Sequence, residues 1–407
     1  MIMNGKKSGK VENQLKIIDL LRTEGPLSRK VIADKLILTR ASITQLTTEL
    51  LKMDILLEIG EMEEKENRAG RKEILIDLNN SHWHLLGLDI EADMISIGIS
   101  TIDGHTIGST SYPFDTLRSD QFVLKEFLDS IEENINKLLN SLTISMESFL
   151  ACGVAMVGRK SYYEHNHLEI PPILKDRKKL KKFLQVTFDI EVYLENNVRA
   201  LAMAESLYYP FAEINSFLYV KIGPGLGSAI VFSDHLYRGV HGQAGEIGRS
   251  IVSGFYSNLQ NSKQVTLEEI ISLDFIIEEI RPYWNEFQLP YLFDLVNGDI
   301  KKLTMPGIYQ ALLYKEIIIE KLFKQKMRIL AHRLYDYKNL LDLEKIYLFF
   351  STNVATILYT YLENELKLIS EELPTVTQKS SISNNESYLA GYAVAYIEGM
   401  KNLYEFN

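Results

Sequence analysis

A single cysteine among 407 residues, Cys152, removes several kinds of chemistry at once. No internal disulfide can form and no multi-cysteine zinc site can be built, which fits a reducing cytoplasm. Cys152 lies in the apolar run Phe149 to Val157, where a buried, inert thiol is the expectation rather than a nucleophile. Long hydrophobic runs are missing as well. None approaches the ~20 residues that span a bilayer, and Met1 to Lys10 is polar and lysine-bearing, so neither a signal peptide nor a membrane anchor is expected. Basic charge is in deficit: 44 Lys and Arg stand against 54 Asp and Glu, a formal net charge of −10. Spread evenly, that balance would argue against nucleic acid as a partner. It is uneven, because Met1 to Asn80 holds 14 basic and 13 acidic residues and the acidity lies almost wholly beyond. The length, with 46% hydrophobic and 24% charged residues, suits two or three globular domains.

The near-neutral N-terminal segment carries a helical pattern. Leu15, Ile17, Ile18 and Leu21 give Val11 to Glu24 an apolar face, and Gly25-Pro26 stops it. Ser28 is a plausible N-cap for a second helix bearing Val31, Ile32 and Leu36. A break at Leu38-Thr39 precedes a third, with Ile43, Leu46, Leu50 and Met53 apolar, so the arrangement is a helix-turn-helix. Strand-like runs Leu56 to Glu61 and Lys72 to Leu78 enclose a polar stretch ending Arg68-Ala69-Gly70-Arg71-Lys72, the composition of a wing. In a winged helix-turn-helix the third helix enters the major groove. Arg40, Ser42, Thr44, Gln45 and Thr48, off its apolar face, are then candidate base or phosphate contacts, and Arg68, Arg71 and Lys72 candidate phosphate or minor-groove contacts. Glu61, Glu63, Glu64 and Glu66 oppose DNA at the wing base.

Further on, Phe217 to Ser250 reads FLYVKIGPGLGSAIVFSDHLYRGVHGQAGEIGRS. An apolar run enters a loop with Gly223, Gly225 and Gly227 and leaves through β-formers, predicting strand-loop-strand rather than the strand-loop-helix of a dinucleotide site. Such glycines can present bare N–H groups to an anion, but the same spacing serves an ordinary tight hairpin.

Three motifs in order, Glu195-Asn196-Asn197 through Glu205, Gly223 through Ile230, and Gly239 through Arg249, resemble the ROK family of sugar kinases and sugar-responsive repressors, including repressors that respond to xylose. The resemblance implies an α/β fold: a winged helix-turn-helix over 1–80, then a two-lobed, actin-like and ribonuclease-H-like ROK domain with lobes over 81–190 and 191–407. Along the chain, Arg118 to Leu142 reads as an amphipathic helix, Glu268 to Tyr283, Ile308 to Tyr337 and Asn384 to Met400 as further helices, and Phe149 to Val157 and Lys345 to Phe350 as strands.

Three departures from the kinase pattern accompany the resemblance. The first phosphate loop of the kinases reads DIGGTK; here Glu91 and Ala92 replace its glycines and Asp93 its threonine. Asn197 stands where the family has an aspartate acting as general base, and an amide takes no proton at neutral pH. Loss of such a base costs roughly two to four orders of magnitude in rate. Phe349-Phe350-Ser351 brings bulk where the kinases have a glycine pair beneath adenosine. A repressor without enzyme activity is therefore expected, with a sugar bound in the interlobe cleft by Asn196, Asn197, Glu246, Arg249 and Glu268. Arg249 replaces the family's histidine; it either pairs with Glu246 or recognises an anionic sugar. The segment Ser253 to Glu268 lacks the family's zinc cysteines, so no metal or cofactor is expected. Operator DNA, a sugar effector and a second copy, as homodimer or dimer of dimers, are the expected partners. A divergent sugar kinase and an effector-blind DNA-binding protein are the competing readings.

Overall fold

The computed structural model describes residues 5–61, 73–91, 94–114, 123–156, 176–209, 214–223, 225–252 and 264–403. The chain divides into two compact units, Met1–Ala200 with Asn385–Asn407, and Leu201–Asn384. These units cut the chain differently from the three segments expected at 80 and 190.

The first unit begins with α1 (Gly5–Glu24), β1 (Leu27–Ser28), α2 (Arg29–Leu36), α3 (Arg40–Lys52), β2 (Leu56–Glu61) and β3 (Ile74–Leu78). Ser28 caps α2 by accepting from the Val31 N–H, and Ile37, left-handed at φ 54°, closes it. Thr39 caps α3 by accepting from the Ser42 N–H. Ile17, Ile18, Leu21, Ile32, Ile43, Leu50, Ile55 and Ile76 are buried and form the core of the module. The two-residue strand β1 pairs antiparallel with β3 and completes a sheet ordered β1-β3-β2, a strand too short for sequence periodicity to show.

Two five-stranded sheets follow. The first holds β4 (His84–Ile90), β5 (Met94–Thr101), β6 (Thr106–Pro113), β7 (Phe149–Met156) and β8 (Val192–Asn196) in the order β6-β5-β4-β7-β8. Strands β4, β5 and β6 pair antiparallel, whereas β7 lies parallel to β4 and β8 to β7. The second unit repeats this order with β9 (Phe217–Ile222), β10 (Leu226–Phe232), β11 (His235–Tyr237), β12 (Lys345–Phe350) and β13 (Thr377–Lys379), as β11-β10-β9-β12-β13 with the same strand directions. The same topology twice in one chain is the duplicated α/β architecture expected from the resemblance.

Helices cover both sheets. On the first, α4 (Leu124–Leu142) buries Phe127, Ile131, Ile135, Leu138 and Leu139, and α5 (Arg177–Phe188) buries Leu180, Leu184 and Phe188. The part of the expected 118–142 helix before 123 lies outside the described residues. Helix α6 (Asn197–Tyr208) leads from β8 into the second unit, which adds α7 (Leu273–Ile280), α8 (Pro290–Leu295), α9 (Met305–Leu313), α10 (Ile317–Leu341), α11 (Ala355–Ile369) and α12 (Leu373–Val376). The helix expected over Ile308 to Tyr337 is thus two, parted at Lys315 with φ 57°. The reason is visible at Glu316, whose carboxylate accepts the Tyr291 N–H at 3.0 Å and satisfies the start of α8. The helix expected over Glu268 to Tyr283 is likewise reduced to α7 between short 3₁₀ turns.

The last helix, α13 (Leu389–Leu403), packs on β4 and β7 in the first unit. Its seat is made of glycine. A Cβ on Gly153 would lie 2.5 Å from the Ala395 nitrogen, one on Gly87 2.6 Å from the Tyr388 carbonyl oxygen, and one on Gly391 2.6 Å from the Gly87 Cα. Backbone touches backbone here, so only residues without a side chain fit. The winged module is attached to the same body: the Trp83 indole donates to the Met53 carbonyl at 3.1 Å, Asn80 donates to Asp103 at 2.9 Å, and the Arg22 guanidinium lies 6.0 Å from the Tyr396 ring centroid on α13.

Candidate DNA-binding and ligand-binding sites

Helix α3 has two faces. Ile43, Leu46, Thr47 and Leu50 are buried against the module, while Arg40, Ser42, Thr44, Gln45 and Thr48 are all exposed. The Thr44 and Thr48 hydroxyls donate back to the carbonyls of Arg40 and Thr44, at 2.8 and 2.7 Å, which leaves their oxygens as acceptors toward solvent. Most cations among the module's described side chains are neutralised within it, Arg29 by Glu58, Lys30 by Glu73, Lys35 by Glu24 and Lys10 by Glu49 among them. Hydrogen bonds from Ser28 and then Lys30 hold the Glu73 carboxyl below its usual range. Arg40 has no ion pair among the described residues, so its charge faces solvent at the start of α3. Arg68, Arg71 and Lys72 of the expected wing tip lie outside the described residues, as do Glu63, Glu64 and Glu66.

The motif at the start of α6 is built by the junction of strand and helix. The Asn196 side chain accepts the Val198 and Arg199 N–H groups at 3.1 and 3.2 Å and so caps the helix. Asn197 is 2% exposed; its Oδ1 accepts the Val198 N–H at 2.9 Å and its Nδ2 donates to Glu91 Oε1 at 2.9 Å. Glu91, at the end of β4, was not among the residues singled out for ligand contact. Nothing in the sequence links two positions 106 apart. At the other end of the motif Glu205, 1% exposed, accepts from the Ser380 hydroxyl at 2.6 Å and the Ser381 N–H at 3.0 Å, a structural tie that holds the chain beyond β13.

In the second unit the glycine loop is the turn of the β9-β10 hairpin, with Leu226 opposite Ile222, so the strand-loop-strand expectation stands. Glu268 lies beneath it. A Cβ on Gly225 would come 3.1 Å from Glu268 Oε1, one on Gly248 would come 3.5 Å from Oε2, and the Glu268 N–H donates to the Gly248 carbonyl at 2.8 Å. The hairpin loop and the Gly245-Glu246-Ile247-Gly248 segment therefore converge on one carboxylate, which disfavours phosphate at the loop. Glu246 is half-buried and precedes a 3₁₀ turn, Ile247–Arg249. The expected pairing of Arg249 with Glu246 is absent: the Arg249 side chain is exposed, and the two residues meet through the Arg249 N–H and the Glu246 carbonyl at 3.2 Å. Phe349 and Phe350 are buried, 4% and 6% exposed, with Phe349 stacked on Tyr219. The five expected ligand residues divide between the units, Asn196 and Asn197 in the first and Glu246, Arg249 and Glu268 in the second.

A helix-turn-helix module followed by two five-stranded α/β sheets of one topology, with polar side chains gathered at strand ends, is an actin-like scaffold carrying an N-terminal helix-turn-helix. The ROK family pattern matches residues 86–355, more than half of the chain, and the chain belongs to the ROK family. It is 24% identical over 269 residues to the xylose repressor of Staphylococcus xylosus, covering 66% of this chain and 68% of that one. To the DNA-binding transcriptional dual regulator NagC of Escherichia coli K12 it is 22% identical over 236 residues, 58% of this chain and 56% of that one, so it spans less than two thirds of that relative. In fold it is similar to a ROK family transcriptional regulator described as a homolog of the E. coli MLC protein, with a TM-score of 0.72 and 19% identity over 98% of both chains. A ROK glucokinase from Streptomyces griseus follows with a TM-score of 0.56 and 15% identity, covering 76% of this chain and 98% of its own.

Proposed function

We propose that the protein is a transcriptional repressor of carbohydrate-metabolism genes whose affinity for operator DNA is set by a sugar, and that it has no kinase activity. The observation that carries this reading is the exposed polar row Arg40, Ser42, Thr44, Gln45 and Thr48 on α3, in a module fixed to a ROK α/β unit. Relatives named as xylose repressor and as NagC support it, as does likeness to a regulator over nearly the whole chain, where the glucokinase covers 76%. A buried asparagine at 197 and a carboxylate under the Gly225 loop speak against phosphoryl transfer. The sugar-contacting groups in this reading are Asn196, Asn197, Glu246, Arg249 and Glu268. Two copies of the chain place two winged modules on operator half-sites one helical turn or a multiple apart, in the cytoplasm where the DNA is. Arg68, Arg71 and Lys72 supply phosphate contacts beside those of α3. A sugar that binds the two states of the protein unequally, typically by ~1–3 kcal/mol, relieves repression.

Binding of the DNA upstream of its own gene, measured by fluorescence anisotropy with and without pentoses and hexoses, tests the reading. Arg40→Ala is expected to weaken binding across sequences and to lower the salt slope by about one. A protein that ignores DNA at low salt, or that turns over ATP with a sugar, would overturn it.

A further inference from the structure

The Asn197 side chain is held from two directions. Its Oδ1 accepts the Val198 N–H and its Nδ2 donates to the Glu91 carboxylate, both at 2.9 Å, and the residue is 2% exposed. An amide can accept from an N–H and donate to a carboxylate at once without taking up a proton, which an aspartate in this place could not. The two bonds together fix which way the amide faces. Among the described residues they leave one Nδ2 proton and one Oδ1 lone pair unused, a donor and an acceptor in one plane, which is the complement of a hydroxyl. The Glu91 charge stands 2.9 Å behind that amide, at the end of β4.

We infer that Glu91 is the positioning residue for Asn197, and that the pair makes this part of the ligand site select an uncharged sugar hydroxyl over a phosphate group, whatever group Arg249 meets. The inference rests on the sugar-binding reading above. It has a part that stands without any ligand: a carboxylate at 197 would face Glu91 at hydrogen-bond distance, and two carboxylates so placed cannot both ionise. Asn197 and Glu91 are therefore interdependent. Other charged groups on the elements that meet here are Asp89 on β4, Glu195 on β8 and Arg199 in the first turn of α6, and they are common to every variant below.

The test compares the full chain with Glu91→Gln, Asn197→Asp and the double variant Glu91→Gln/Asn197→Asp. Thermal unfolding from pH 5 to pH 8 is expected to show Asn197→Asp losing stability relative to the parent as pH rises, because the shared proton is removed. The double variant, again one carboxylate and one amide, is expected to run parallel to the parent. A merely structural role for Asn197 would give a loss independent of pH, and that outcome, or a slope surviving in the double variant, overturns the pairing. In the second arm xylose, glucose and glucose 6-phosphate are titrated by calorimetry. The parent is expected to prefer a neutral sugar by at least about tenfold, and Glu91→Gln to narrow that gap. Equal or tighter binding of glucose 6-phosphate overturns the selectivity, and absence of all sugar binding overturns it together with the reading it rests on, while the pH arm still decides the pair.

Discussion

Lys326 shows how much one side chain can demand of its surroundings. It lies on α10 with a side chain that is 0% exposed, paired with Glu279 of α7 and 5.0 Å from the Phe275 ring centroid. Burial pulls its pKa down to about 8 against the opposing attraction of Glu279, and burial pushes the Glu279 carboxyl up. Removing one partner leaves an uncompensated buried charge, so Lys326→Ala is expected to cost about 3–5 kcal/mol in denaturant unfolding. The double variant Lys326→Met/Glu279→Leu is expected to recover most of that loss. The pair also sets a pH dependence. A lysine with a folded pKa of about 8 and an unfolded value of 10.5 is already neutral in the folded state across that window while still protonated in the unfolded one. Stability then rises with pH from about 8 to about 10.5, and Lys326→Met is expected to flatten that rise in a melting series. Cys152 behaves oppositely in chemistry though equally buried: burial pushes its thiol up and leaves it inert, as its apolar setting in the sequence suggested. Native protein is expected to resist a thiol reagent that labels it at once in denaturant.

At the scale of elements, the seat of α13 offers a sharp test. Gly153→Ala places a methyl group where the Ala395 nitrogen lies 2.5 Å away, and neither strand nor helix backbone can yield. The substitution is expected to destabilise the first unit by at least ~1–3 kcal/mol, visible as a lower unfolding midpoint, whereas alanine at Gly242, with nothing within 4 Å, meets strain only through its φ of 66°. Much of this layer was legible beforehand. Strand Lys345–Phe350 was expected to the residue, α2 began at its expected cap Ser28, and α3 followed the expected break at Leu38-Thr39, because period and cap chemistry are local signals. What escaped was non-local. The break at Lys315 carries no glycine or proline; it exists so that Glu316 can serve α8, a helix in another part of the chain. The Glu91–Asn197 bond and the Glu205–Ser380 tie join positions 106 and 175 apart, which no windowed pattern can relate. Arg249 and Glu246 had the spacing of a helical pair, but Glu246 stands before the short turn as its cap, at ψ 57°, and not on a helix with Arg249.

On the whole-molecule scale the two units share one strand order and differ in what they carry. The first holds the winged module and α13; the second holds the hairpin loop, Glu268 and α10, the longest of the described helices. No helix among the described residues is long and apolar enough to cross a membrane. Trp83, Asn80 and Arg22 bind the winged module to the sheet and helix of the first unit, so a change in that sheet is felt at the module without an intervening tether. Trp83→Ala is expected to weaken the response of DNA affinity to sugar more than it weakens sugar binding, measured by anisotropy and calorimetry side by side.

The placement of α13 also bears on the order in which a nascent chain acquires its shape. Residues 201–384 are contiguous and can fold as they leave the ribosome. The first sheet, although its opening strand is made early, lacks the helix that covers β4 and β7 until residue 403 has been synthesised. The unit that begins first is thus finished last, its apolar strands waiting through the synthesis of the whole second unit. A chain stalled before Leu389 would carry its helix-turn-helix module on an incomplete base, with β4 and β7 uncovered and open to chaperones and proteases.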